Sequence, residues 1–162
     1  MDCLRKVREE DAAQIAAIYN VYVTSTTVSF ETEPVSVEQM RGRIAAISAN
    51  FPYFVYELQG RVAGYCYAHP WKERAAYSQT LETTIYLSGD CCGVGIGTSL
   101  MRRLIGECRS RGFHTLVACI TAENGRSIAF HKSLGFEQAS HFVQVGRKAG
   151  RWLDVVDLTL LL

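Results

Sequence analysis

Leu81-Glu82-Thr83-Thr84-Ile85-Tyr86-Leu87-Ser88-Gly89-Asp90-Cys91-Cys92-Gly93-Val94-Gly95-Ile96-Gly97 reads as a strand that runs into a glycine-rich loop and the start of a helix. Alternation puts Leu81, Ile85 and Leu87 on one face and Glu82, Thr84 and Tyr86 on the other. That is the two-residue period of a strand, taken here as Gln79 to Leu87. Gly93, Gly95 and Gly97 then remove the Cβ atoms that would hold an anion away from the backbone. Ile96, Leu100, Met101, Leu104, Ile105 and Cys108 follow at helical spacing, and Gly112 ends the helix. A helix start offers unpaired N–H groups and the positive end of a dipole, so such a loop can hold phosphate oxygens without a lysine. The competing reading is a glycine turn that only permits tight packing.

Two common phosphate loops are excluded by the neighbouring residues. Thr98 and Ser99 stand where an NTPase loop needs Gly-Lys-Ser/Thr. A dinucleotide fold places its glycine loop after the first strand of a repeated βαβ unit, whereas this loop follows a meander.

Upstream, Leu4–Arg8 reads as a first strand, and Asp11 as the cap of a helix with Ile15, Ile18, Tyr19 and Tyr22 on one face. Thr24–Pro34 has no helical period and reads as a loop. Ser36 and Gln39 form a capping-box pattern ahead of Met40, Ile44 and Ile47. Phe54–Leu58, Gln59-Gly60 and Arg61–Ala68 form the clearest hairpin, stopped at His69-Pro70-Trp71 by a charged loop running to about Tyr77. Downstream, Leu116–Ile120 is a short apolar strand of the buried kind. Asn124 can cap a helix through Leu134 that Gly135 closes, and two strands end the chain, the last over Trp152–Leu161. The order is strand, two helices, three-strand meander, helix, strand, helix, two strands. It predicts one α/β domain over residues 1–162, a mixed, mostly antiparallel twisted sheet with helices on both faces.

Composition narrows the function classes. The chain has 162 residues, 48% hydrophobic and 20% charged, which is enough for one real core and too ordered a balance for disorder. A net charge of +1 with no basic block argues against nucleic acid. No apolar run approaches membrane-spanning length. Met1-Asp2-Cys3-Leu4-Arg5 lacks the apolar core of a signal peptide, so the expected compartment is the cytoplasm. The six cysteines form no CxxC pair and several sit in apolar runs; they read as reduced, mostly small core residues. No His/Cys cluster has metal-ligand spacing, so no metal is expected.

With those residues in view, Cys92-x-x-Gly95-x-Gly97 and its helix resemble the acyl-CoA loop of the GCN5-related N-acetyltransferase (GNAT) superfamily, whose pattern is Gln/Arg-x-x-Gly-x-Gly/Ala. Asn124-x-x-Ser127 and His131-Lys132-Ser133-Leu134-Gly135-Phe136 resemble that superfamily's second cofactor segment. The resemblance narrows to the phosphinothricin, methionine sulfone and methionine sulfoximine acetyltransferase branch. It does so through Ser25–Pro34, Pro70-Trp71-Lys72-x-Arg74-x-x-Tyr77, Leu81–Leu87 and Gly150-Arg151-Trp152-x-Asp154-Val155. One position departs: Cys92 replaces the usual Gln or Arg, which removes a side-chain contact to the phosphates and leaves the backbone to hold them.

The resemblance implies an acyl-CoA N-acyltransferase fold, acetyl-CoA as co-substrate, a small-molecule amine as acceptor and a homodimer, with detoxification as the role. It implies that Gly93, Val94, Gly95, Ile96, Gly97 and Thr98 meet the pyrophosphate, that the backbone of Ile85, Tyr86 and Leu87 pairs with the pantetheine amides, and that Asn124 and Ser127 complete the cofactor site. An ammonium acceptor must lose a proton before it attacks, and Glu82 is the candidate base; a structural ion pair with Arg74 or another cation is the alternative. His131 would protonate the departing thiolate or share the base role, or else simply satisfy a helix face. Lys72 and Arg74 are candidates for an acidic group on the acceptor, against the plainer reading of solvated loop charges. Phe30, Thr83, Thr84 and Tyr86 would line the acceptor pocket beside Glu82, against the plainer reading of Phe30 and Tyr86 as core aromatics. Acetylation of a polyamine, an aminoglycoside or a protein N-terminus stays open, as does a non-catalytic acyl-CoA-binding domain.

Overall fold

The computed structural model describes residues 3–162; Met1 and Asp2, the start of the N-terminal stretch read above, lie outside the described residues. The elements are β1 (Cys3–Lys6), α1 (Ala12–Ser25), α2 (Val37–Ser48), β2 (Tyr53–Leu58), β3 (Arg61–Pro70), β4 (Thr80–Leu87), α3 (Ile96–Ser110), β5 (Thr115–Thr121), α4 (Gly125–Ser133), β6 (Glu137–Lys148) and β7 (Arg151–Leu161). The order expected from the sequence is the order found.

The strands form one seven-stranded sheet, β1-β2-β3-β4-β5-β7-β6. Only β4 and β5 run parallel; the other neighbours are antiparallel. One core lies under α3 and α4, where Leu100, Met101 and Leu104 pack on Ala63, Cys66, Leu81 and Leu116. The other lies under α1 and α2, where Ile15, Tyr19, Val23, Met40 and Ile44 meet Tyr53, Val55 and Tyr65. The alternation of β4 decides its contribution to each. Leu81 joins the first core, and Tyr86 packs against the second.

Local signals explain most boundaries. Ser36 Oγ accepts the Gln39 N–H at 3.1 Å while the Gln39 side chain accepts the Ser36 N–H at 2.8 Å, the reciprocal capping box. Gln59 and Gly60 both take positive φ, 51° and 81°, as a two-residue primed hairpin turn requires. Asn124 Oδ1 accepts the Ser127 N–H at 3.2 Å and starts α4.

Four expectations are corrected. Asp11 stands at the N-cap position of α1, but its side chain makes no capping bond there. Its carboxylate accepts two 2.8 Å bonds from the Arg5 guanidinium and the Arg8 N–H at 2.8 Å, closing a short turn before the helix. That turn also ends β1 at Lys6, not Arg8. The first helix runs one residue beyond the expected loop start, to Ser25. Strand β3 continues through His69 to Pro70, because both are paired with Glu82 and Leu81 across the sheet. Of the cysteines, Cys66, Cys91 and Cys108 are buried, Cys3 and Cys119 are exposed, and none is in a disulfide. No described helix is long and apolar enough to cross a membrane.

Candidate active site

The site begins where two strands part. Pairing of β4 with β5 covers only Thr80–Thr115, Leu81–Leu116 and Glu82–Val117, although β4 continues to Leu87 and β5 to Thr121. Beyond Glu82 the two strands diverge, and the β5-facing edge of residues 83–87 has no strand partner. Thr83 closes the angle: its buried hydroxyl donates to the Val117 carbonyl at 3.4 Å.

A cleft of about 590 Å³ fills the opening on the cofactor-loop side. Ile85, Tyr86, Leu87, Gly93, Gly95, Gly97, Thr98, Asn124 and Ser127 line it, as expected from the sequence. Gly93 and Gly95 adopt φ of 83° and 89°, conformations that strain any residue with a Cβ, and Gly95 is the residue from which α3 starts. The loop therefore presents bare backbone and a helix N-terminus to the cleft. Val94 and Ile96 contribute no side chain there, since Val94 is 70% exposed and Ile96 is buried in the core.

A chamber of about 240 Å³ adjoins the cleft. Val28, Ile85, Tyr86, Asn124 and Ser127 line both spaces, so the two meet at the point where β4 and β5 split. The chamber also gathers Phe30, Glu82, Thr83, Thr84, Cys119, Thr121 and His131. Among the described residues Glu82 is its one acidic lining residue, and no Lys or Arg lines it. Burial, aided by the like charge of Asp157 and opposed by His69, raises the Glu82 carboxyl above its ordinary range. His131 is buried, with its Nδ1 2.8 Å from the Ser127 carbonyl oxygen. That oxygen can only accept, so Nδ1 carries the hydrogen and Nε2 the lone pair. Burial, partly offset by this bond, lowers the His131 pKa and keeps the ring neutral.

Phe30 reaches the chamber from the α1–α2 loop, which a polar network secures. The Tyr19 hydroxyl lies 2.7 Å from Ser29 Oγ and donates to Glu31 at 3.0 Å, and the buried Lys148 Nζ donates to the Ser29 carbonyl at 2.5 Å. The Phe30 ring lies over Gly146, where a Cβ would come within 2.1 Å of it.

The expectation that Lys72 and Arg74 share this chamber is not met within the chain. The Lys72 ammonium sits 4.1 Å from the centre of the Trp71 ring, and the Arg74 side chain is exposed. Both belong to the β3–β4 connection, whose first residue, Trp71, donates to the Thr80 carbonyl at 3.4 Å.

Cys92, the departing motif position, lines the cleft too, and so do four residues that the sequence reading did not assign to it, Tyr22, Val28, Arg126 and Phe130. From the sequence, Tyr22 reads only as part of an apolar helix face. Arg126 sits in the first turn of α4, against the dipole, and its guanidinium is 3.8 Å from the Cβ position of Gly93. A cation at a helix start was the signal that could have found it.

Comparison with known proteins gives a consistent answer. Residues 4–156 match the acetyltransferase (GNAT) domain family. A phosphinothricin N-acetyltransferase of Alcaligenes faecalis is 39% identical over 94% of this chain and 79% of its own length. A methionine sulfoximine and methionine sulfone acetyltransferase of Pseudomonas aeruginosa is 34% identical over 97% and 92%. A phosphinothricin acetyltransferase of Sinorhizobium meliloti, solved in complex with acetyl-CoA, superposes with a TM-score of 0.95 at 36% identity, covering 99% of this chain and 88% of its own.

Proposed function

The chain is an N-acetyltransferase of the GNAT family, and we propose that it acetylates the amine of a small amino acid analogue of the phosphinothricin, methionine sulfone or methionine sulfoximine kind. The observation that carries this reading is the divergence of β4 and β5 directly after Glu82, which joins the cleft to a chamber holding one carboxylate and one neutral imidazole.

Acetyl-CoA is the proposed co-substrate, and the residues fit it. Bare backbone at Gly93 and Gly95 with the α3 N-terminus suits the pyrophosphate, and Arg126 adds the cation that Cys92 lacks. The open edge of Thr83–Leu87 suits the pantetheine amides, by strand addition. The cofactor supplies the acetyl group as an activated thioester.

Glu82 takes a proton from the acceptor ammonium, and its raised pKa matches that task better than an ordinary carboxylate would. His131, with Nε2 unprotonated, accepts the nitrogen's second proton and can return it to the departing sulfur. A thiol of pKa about 8.5 leaves as a weak base, so this last donation is modest help. Backbone N–H groups at the diverging edge polarise the carbonyl. Thr84 and Phe30 shape the acceptor's surroundings, while Thr83 chiefly holds the strand junction. Lys72 and Arg74, which lie outside the chamber, remain the proposed partners of the acceptor's acidic group.

A second reading has one observation in its favour. The chamber's single ionised side chain is Glu82, which suits an amine with no acidic group, such as a polyamine. Free-thiol release with acetyl-CoA and a panel of phosphinothricin, methionine sulfone, methionine sulfoximine, polyamines and aminoglycosides separates the two. Selective turnover of the amino acid analogues is expected; preference for acceptors without an acidic group would overturn it, and no release with any amine would point to a binding domain.

Phe142, Val143 and Val145 on β6 and Trp152 on β7 are exposed apolar residues, between 49% and 69% accessible. This ribbon is the proposed contact of a homodimer, tested by sedimentation of the wild type against Trp152→Lys. A cytoplasmic detoxifying role accords with the chemistry, because acetylation removes the charge of a toxic analogue's amine.

A further inference from the structure

On the face of the sheet that carries Glu82, β3 sets its side chains directly opposite those of β4. Tyr65 faces Tyr86, Tyr67 faces Thr84, and His69 faces Glu82. Directly opposed residues in an antiparallel pair have Cβ atoms about 4.5–5.5 Å apart and share a face, so imidazole and carboxylate are neighbours by register. Glu82 lines the chamber and His69 does not. The His69 ring is half-buried at the end of an aromatic row, 5.8 Å from Tyr67. Its Nδ1 lies 3.0 Å from the Pro70 carbonyl oxygen, an obligate acceptor, so Nδ1 carries a hydrogen and Nε2 is the position open to a second proton. The chemistry derived above makes no use of this histidine.

We propose that His69 is a positioning residue for the Glu82 base, stabilising its ionised form and passing its proton on to solvent. This rests on the reading of Glu82 as the base. The proton accounting closes. The acceptor nitrogen enters with three hydrogens and ends as an amide with one. One proton goes to Glu82 Oε, then through a bridging water to unprotonated His69 Nε2, which makes no direct hydrogen bond to Glu82, then to solvent. The other, taken at His131, ends on the coenzyme sulfur as the C–S bond breaks and the C–N bond forms.

The groups around Glu82 leave this role to His69. Asp157 on β7 has the same charge and disfavours the carboxylate. The Cys119 thiol on β5, accessible at the surface but partly desolvated where it lines the chamber, is pushed up to about 12, by that desolvation first and then by Asp157 and Glu82, and stays protonated. Burial likewise raises Tyr67 on β3, which remains a phenol. His131 on α4 is held neutral by burial. His69 is the neighbour whose positive charge opposes the rise in the Glu82 pKa.

The test compares wild type, His69→Gln and Glu82→Gln, with melting temperatures to confirm folding. In cofactor-free protein, the carboxyl ¹³C resonance of Glu82 should titrate at higher pH in His69→Gln than in wild type. The acid limb of kcat/KM for the acceptor should move up with it, while the KM for acetyl-CoA stays put. Each step of one on the pH scale that the limb climbs corresponds to about a tenfold loss of rate at acid pH. Added imidazole should restore activity to His69→Ala, which a structural role would not allow. An unmoved Glu82 midpoint, an unmoved acid limb or an absence of imidazole rescue each overturns the proposal. Full activity in Glu82→Gln would instead remove the base reading itself. An inactive Glu82→Gln beside a wild-type pH profile in His69→Gln sinks the His69 proposal alone.

Discussion

The Tyr22 hydroxyl donates a 2.6 Å hydrogen bond to the Leu87 carbonyl, tying α1 to the last residue of β4 at the cofactor cleft. The same ring packs 4.9 Å from that of Tyr86, which is 5.1 Å from Tyr19. One tyrosine therefore fixes both the backbone and the side-chain wall of the cleft. Its position on an apolar helix face shows the ring's packing but gives no hint of where the hydroxyl goes.

Tyr22→Phe keeps the ring and removes the bond. The fold should lose about 0.5–1.5 kcal/mol, the net worth of a neutral hydrogen bond. Acetyl-CoA should bind several-fold more weakly, because the end of β4 is no longer held. Calorimetry alongside thermal melts checks this. A lower melting point with an unchanged Kd would confine Tyr22 to a structural role.

What was legible in the sequence follows a physical line. Signals written within a few neighbouring residues were readable: the Ser36–Gln39 box, the Gln59-Gly60 turn, the Asn124 cap and the glycines before α3. Glu82 was legible as a carboxylate in the middle of a strand, whereas His131 came into view only through the family resemblance. The divergence of β4 and β5 was implied only indirectly, by the resemblance that gives the backbone of Ile85–Leu87 to the pantetheine. Pairing ends at Glu82–Val117 by a choice of register that no single residue announces. Arg126, the Phe30–Gly146 contact and the Asp11–Arg5 pair depend on tertiary neighbours from distant or differently turned segments. Asp11 shows the limit clearly. Its type favours a helix cap, yet an arginine six residues earlier captures the carboxylate.

That pair makes an acid-stability prediction. Burial, the largest influence, pushes the Asp11 carboxyl up, but the bonds from Arg5 and the Arg8 N–H outweigh it, and the net pKa is lowered. A carboxyl with a lowered folded pKa stabilises the protein above its unfolded value of about 3.9 and loses that contribution as pH falls through the folded value. Asp11→Asn should therefore be about 1.5–3 kcal/mol less stable at pH 7, the worth of a hydrogen bond between charged groups, since Arg5 keeps Glu57 as a partner. Its stability should also fall less steeply below pH 4. Urea melts from pH 2 to 7 read both slopes, and parallel curves would show that Asp11 is not linked to acid unfolding.

Two substitutions divide the pyrophosphate contact into backbone and charge. Gly95→Val places a β-branched residue at φ 89° and a side chain in the anion's path, so binding of acetyl-CoA should be lost in a folded variant. Arg126→Ala should weaken binding by about 1.5–3 kcal/mol, a charged hydrogen bond, with a reduced salt dependence. It should leave the melting temperature unchanged or higher, because a cation at a helix start opposes the dipole. Cys92→Arg should be tolerated and bind more tightly. Equal calorimetric affinity in wild type and Arg126→Ala would leave the loop's backbone as the whole contact.

Acceptor recognition can be tested apart from cofactor binding. If the acidic group reaches the exposed Arg74, Arg74→Ala should raise the acceptor KM by about 1.5–3 kcal/mol in kcat/KM and leave acetyl-CoA binding alone. Gly146→Ala should act from the other side, because its Cβ would displace the Phe30 ring and reshape the chamber. An Arg74→Ala enzyme with wild-type kinetics on methionine sulfone would turn the acceptor reading toward simple amines.

Glu82→Gln tests the chemistry. The substitution keeps the shape of the side chain at the β4–β5 junction and removes its ability to accept a proton, so the fold and the acetyl-CoA affinity should survive. The kcat should fall by roughly 10²–10⁴, the usual worth of a positioned base. In the wild type the rate should drop as pH falls through the Glu82 pKa, which burial has raised above the ordinary carboxylate value, and that limb should vanish in the variant. His131 titrates differently: its burial-lowered pKa leaves it neutral at and above pH 7, so it adds no limb there. His131→Phe should cost less, since a thiolate leaves unaided more readily than an ammonium attacks. The assignment reverses if Glu82→Gln keeps full activity, or if its pH profile matches wild type while His131→Phe flattens it. His131 Nε2 would then be the base, and Glu82 a carboxylate that organises the His69 side of the sheet.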